Sequence, residues 1–157
     1  MNANVNKNIP HAIKAVEKYL AEEERPDTVS KEYDGYAASF TASVTTSGLL
    51  PTLAFYTDIH KSNPRNQAKE VLRYKTTQAL MHILQPSEER VAKNALLMHA
   101  MKELYGPGAE QPRQALGRID ASKLPGLQQQ IIDAAIALKL ALRNFKQDDT
   151  QAKSNQP

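Results

Sequence analysis

The sequence predicts an all-α fold, and three observations carry that prediction. The first is composition. There are 21 Ala and 16 Leu against 8 Ile and 6 Val, so good helix formers outnumber β-branched strand formers more than twofold. The second is periodicity, with apolar residues recurring three and four positions apart in segment after segment. The third is punctuation: four of the six glycines and three of the nine prolines fall within residues 106–126, a density that forbids long regular structure there. The expected architecture is a compact single-domain bundle of about six helices over residues 9–147, at a length of 157 residues that suits one domain. Residues 1–8 and 148–157 are polar and read as disordered tails.

Each helix has its own signature. In the first, Ile9, Ile13, Val16 and Leu20 recur at helical spacing, with Lys7, Lys14 and Lys18 roughly opposite and Pro10 near the first turn. The run Glu22-Glu23-Glu24 and then Pro26-Asp27 ends it in a solvated loop. Ser30 is placed to cap a second helix whose face is Tyr33, Tyr36, Ala37, Phe40 and Val44. Gly48 breaks that pattern, and a short third helix carries Leu50, Leu53, Ala54 and Phe55. The turn Ser62-Asn63-Pro64 precedes a fourth, from about Arg65 to Leu84, with Ala68, Leu72, Ala79 and Ile83 on its buried face. Gln85-Pro86 stops it. Ser87, Glu88 and Glu89 then predict the start of a fifth helix, reaching Tyr105 through Val91, Ala95, Met98 and Met101.

Residues 106–126 read as a loop, with one short helix near Arg113 to Gly117. The last helix runs from about Gly126 to Gln147 and buries Leu127, Ile131, Ala134, Ala135, Leu138, Leu142 and Phe145. Ile132, Ile136 and Leu140 extend its apolar surface beyond that stripe. Such a helix is either central or touches another subunit, so these three are the candidate subunit-interface residues.

Composition also excludes chemistry. With no cysteine, disulfides, thiolate metal sites and thiol nucleophiles are ruled out. No apolar run approaches the roughly 18 residues that span a bilayer. The N-terminal residues lack a signal peptide's apolar stretch, so a cytoplasmic location without membrane contact is expected. Glu-x-x-His, His-Glu-x-x-His, the phosphate-loop Gly-Lys-Ser/Thr and Gly-x-Gly-x-x-Gly are all missing. His99 and Glu103 share a helix face, a pairing more often a surface hydrogen bond than a metal site. His82, between Met81 and Ile83, reads as packing rather than a general base, and His11 and His60 read as helix-end residues. No catalytic residue, metal, cofactor or small-molecule substrate is assigned.

Basic stripes are the stronger lead. Lys139, Arg143 and Lys146 are spaced i, i+4, i+7 on the last helix, Lys14 and Lys18 repeat i, i+4 on the first, and Lys69 and Arg73 do so on the fourth. A net charge of +3 is modest for a dedicated nucleic-acid binder. Any RNA contact is expected to engage phosphates and read no bases, because the aromatics are mostly core-spaced.

One passage points further. Ser30-Lys31-Glu32-Tyr33-Asp34-Gly35-Tyr36, Phe40-Thr41-Ala42-Ser43, and Ser47-Gly48-Leu49-Leu50-Pro51-Thr52-Leu53-Ala54-Phe55-Tyr56 closely resemble the small helical subunit of the Cmr complex, the type III-B CRISPR effector that targets RNA. Ile9-Pro10-His11-Ala12 and the stretch from Ala137 to Lys146 are similar to its flanking helices, so the likeness spans Ile9 to Gln147. The resemblance implies an all-α bundle without known catalytic activity. It implies stacking in more than one copy opposite the guide-bearing backbone, help in holding the duplex of crRNA and target RNA, and contact with the large subunit, the backbone subunits and further copies of itself. On this resemblance Lys139, Arg143 and Lys146 match the family's basic C-terminal helix best, followed by Lys14 and Lys18. Many relatives carry Asn-Gly and Gln where this chain has Ser47-Gly48 and Pro51, and the 106–126 loop is longer than in compact members. The small subunit of another type III or a type I effector, and a stand-alone helical enzyme, are the alternative readings.

Overall fold

A computed structural model describes residues 3–58, 64–106 and 120–148. Six α-helices stand among them: α1 (Ala3–Ala15), α2 (Glu32–Ser47), α3 (Leu49–Thr57), α4 (Pro64–Leu84), α5 (Ala95–Tyr105) and α6 (Leu124–Leu142). The expected all-α bundle is the observed one. Its core is a single cluster to which every helix contributes, and α6 is the central member. That helix buries Leu127, Ile131, Ala134, Ala135, Ala137, Leu138, Ala141 and Leu142, and packs on α1, α2, α4 and α5. A central helix is apolar on several sides because it has neighbours on several sides.

Four departures have physical causes. Residues 3–8 are helical and not a tail, because Val5 extends the i, i+4 series through Ile9 and is only 2% exposed. Pro10 therefore lies inside α1, where it leaves the Asn6 carbonyl without its helical donor. Past Ala15 the chain widens into a π-turn, Val16–Leu20, closed by Ala21 N–H donating to the Val16 carbonyl at 2.8 Å.

The fifth helix begins at Ala95, not near Ser87, because residues 88–93 bond elsewhere. Gln78 Nε2 donates to the Val91 carbonyl at 2.8 Å, and the Val91 N–H donates to the Tyr19 hydroxyl at 3.2 Å. Lys18 Nζ donates to the Glu89 carbonyl. With its backbone groups satisfied by side chains of other elements, the segment gains little from a helix. The buried face of α5 is accordingly Leu96, Ala100 and Leu104, with Met98 and Met101 half-buried.

The last helix starts two residues before Gly126 and ends at Leu142 rather than at Gln147. Arg143, Asn144 and Phe145 donate to carbonyls three residues back, which tightens and closes the helix. Residues Lys146–Asp148 then form a strand, β2, parallel to β1 (Thr28–Ser30), in the register Thr28↔Lys146, Val29↔Gln147 and Ser30↔Asp148. Arg25 bonds both Glu22 and Asp148, and Lys146 Nζ lies 3.4 Å from Asp27. Asp148 thus belongs to the fold and not to a tail.

The second helix matches the sequence closely, whereas on the third only Leu53 of the four expected apolar residues is buried, and Ala54 and Phe55 are exposed. Tyr33, Ala37, Phe40 and Val44 are buried on α2, but its cap position is Lys31 and not the expected Ser30; Ser30, one residue earlier, accepts at Oγ from the Glu32 N–H at 3.3 Å. Gly48 joins α2 to α3 at φ 96° and ψ 163°, a conformation open essentially to glycine alone. Tyr56 locks the pair: its ring meets Phe40 edge-on at 5.1 Å and its hydroxyl donates to the Tyr36 carbonyl at 3.0 Å. Burial pushes its phenol up to about 12. On α4, Ala79 and Ile83 are buried and Leu72 half-buried as expected, whereas Ala68 is exposed. The Asp120 N–H donates to the Leu104 carbonyl at 2.8 Å, bringing together the two ends that flank residues 107–119. The short helix expected at Arg113 to Gly117 lies outside the described residues, as do residues 149–157.

Candidate nucleic-acid interface

The five predicted cations do not form one surface stripe. Lys139 is half-buried on α6, and Arg143 is exposed just past its end. Lys146 has left the helix for β2, where its ammonium pairs with Asp27 and holds that carboxyl below the ordinary aspartate range. The i, i+7 spacing presumed a helix that continues to Gln147, and the strand pairing with β1 removes it. Lys14 is exposed at the end of α1, and Lys18 is exposed on the π-turn, where it is tied to the Glu89 carbonyl and lies 5.5 Å from the Tyr19 ring centroid.

Lys14 and Lys18 have company that spacing did not show. His82, near the end of α4, is 7% exposed and its ring sits 5.9 Å from Tyr19. Burial lowers its pKa, and Lys18, His11 and Lys14 lower it further. The end of α1, the π-turn and the end of α4 thus build a positively charged corner. His82 is buried packing, as its neighbours Met81 and Ile83 predict. Beside the corner, α1 and α6 flank an open cleft of about 450 Å³ that includes Lys7, His11, Gln130 and the buried Asp133.

The three candidate interface residues also separate. Ile132 and Leu140 pack partly buried against the chain's own core, whereas Ile136 is 39% exposed. Of these three, Ile136 is the one that offers a large apolar side chain to another molecule. A second exposed apolar side chain was missed: Phe55 on α3 is 58% exposed, with the Arg73 guanidinium 4.5 Å from its ring centroid. The available signal was the Lys69–Arg73 spacing on α4. Because nearly every residue of α3 is apolar, periodicity could not say which one faces out.

Among the described residues no group of three His, Cys, Asp or Glu is placed to hold a metal ion, and no helix is long and apolar enough to cross a membrane. What the surface offers is cations and a few exposed apolar anchors, a chemistry suited to docking polyanions and partner chains.

The class defined by this fold and surface is a small helical bundle with a basic corner and a central C-terminal helix. A family model described as CRISPR-associated protein (Cas_Cmr5) matches residues 5–106, and the chain belongs to that Cmr5 family. No curated protein and no solved structure matches it. The matched residues contain Lys14, Lys18, Phe55 and Arg73, while Lys139, Arg143 and Lys146 lie beyond them.

Proposed function

We propose that this chain is a non-catalytic, structural and RNA-binding small subunit of a type III-B CRISPR (Cmr) ribonucleoprotein effector acting in the cytoplasm. It stacks in more than one copy along the complex, contacts the large and backbone subunits, and helps hold the duplex of crRNA and target RNA. Membership of the Cmr5 family is the observation that carries this reading. The cationic corner of Lys14 and Lys18 supplies a phosphate contact within the family-matched residues, and Lys139 and Arg143 supply a second beyond them.

The test compares two paired variants in the reconstituted complex. Lys14→Glu with Lys18→Glu, and Lys139→Glu with Arg143→Glu, should each leave assembly intact and weaken target capture by about tenfold or more, losing some two phosphate contacts each. Lys146 is left unchanged because its pairing with Asp27 supports the strand seam. Variants that assemble and capture target as tightly as the parent across a salt titration would reduce both groups to ordinary solvated faces.

A further inference from the structure

Phe55 and Arg73 form a feature separate from the corner at α1. An aromatic ring 58% exposed to water forgoes the burial that stabilises its neighbours Tyr56 and Leu53. Arg73 covers it at 4.5 Å, yet no carboxylate pairs with Arg73 among the described residues, and its Nε is buried without a hydrogen-bond partner. Among the described residues, stacking on Phe55 is what holds the guanidinium. One turn earlier on α4, Lys69 lines a shallow dish of about 230 Å³ together with Glu32, Tyr36 and Ser39. Tyr36 lies 6.4 Å from Tyr56, whose ring is 5.9 Å from Phe55. The dish lies between α2 and α4, and Lys69 links it to Arg73, one turn further along the same helix.

We propose that Phe55 and Arg73 form a stacking platform for one unpaired nucleobase of a single-stranded RNA segment, with Lys69 taking a neighbouring phosphate. The inference rests on the RNA-binding reading above and deepens it. Every base has a π-face, so an aromatic ring beside a guanidinium accepts any of them, and adjacent cations follow the backbone. A protein anchor would instead sit within a ring of apolar neighbours that excludes water. Here the ring is covered by the Arg73 guanidinium, with Lys69 one turn away on α4.

The chain contains no tryptophan, so Phe55→Trp introduces a single reporter. The full chain carrying it is titrated at low salt with a labelled single-stranded oligoribonucleotide and with an abasic ribose-phosphate oligomer of the same length. Tryptophan emission and RNA anisotropy are read together. The oligoribonucleotide is expected to quench the emission, and the abasic oligomer to bind without quenching. Phe55→Leu should weaken the oligoribonucleotide about tenfold and leave the abasic oligomer unchanged. RNA that binds with emission unmoved, and with equal affinity for Phe55→Leu, overturns the platform while leaving RNA binding in place. If neither oligomer raises the anisotropy, platform and RNA binding fall together. Loss of partner subunits from the Phe55→Leu complex, with RNA affinity intact, overturns the platform in favour of a protein contact.

Discussion

His82 shows how one buried side chain ties stability to acidity. Its Nδ1 is buried with no hydrogen-bond partner among the described residues, and its pKa is pushed below the ordinary 6.5 by burial and then by Lys18, His11 and Lys14. A histidine lowered in the folded state takes up its proton more readily once unfolded. Its contribution is therefore intact above pH 6.5 and is lost as pH falls from there towards the lowered folded value. Thermal melts should show a Tm that drops through this acid limb. His82→Gln, similar in size and never charged, should flatten the part of the limb below about pH 6.5. A limb equally steep in the variant would assign the pH dependence to carboxylates instead.

At the scale of elements, the first turn of α1 makes the sharpest prediction. Val5 is buried on the core from a segment whose polar composition reads as a tail. Val5→Ala should cost about 2 kcal/mol, lowering Tm by roughly 4–8 °C for a chain of this size. A loss near zero would mean that the turn contributes no packing. The elements legible in the sequence are those whose partners are close in the chain. Tyr33, Ala37, Phe40 and Val44 announce α2 by spacing alone, and Gly48 marks its junction with α3. What stayed hidden depends on distant partners. No local pattern in Thr28–Ser30 announces a partner at Lys146–Asp148, and nothing near Ser87 shows that Gln78, Tyr19 and Lys18 will take up the following backbone. The same limit applied to the surface. Spacing found Lys14 and Lys18 but not the histidines beside them, and it placed Lys146 on a helix that ends four residues earlier.

For the molecule as a whole, charge sets the expected binding behaviour. A net charge of +3, with cations spread over α1, α4 and the end of α6, provides a few phosphate contacts and no strong field. Three contacts on a single strand should give log affinity falling with log salt at a slope of about −2. One copy alone should therefore hold RNA weakly at physiological salt, whereas copies stacked along one duplex combine their contacts because each later one is intramolecular. A salt titration of the isolated chain measures the slope directly, and a value near zero would exclude phosphate contacts as the source of affinity.

The pairing of the chain's first and last helices bears on its biosynthesis. The most extensive packing in the fold joins α1 to α6, and β1 waits for β2, which begins at Lys146. Synthesis at about 5–20 residues per second takes roughly 8–30 s for the chain, and α1 lacks its main neighbour for most of that time. The α2–α3 hairpin can close as soon as it leaves the ribosome, but the bundle cannot. Until α6 emerges, the apolar face of Val5 and Ala12 has α4 as its chief cover among the described helices. Nascent chains stalled before Leu124 should accordingly be the species that chaperones hold.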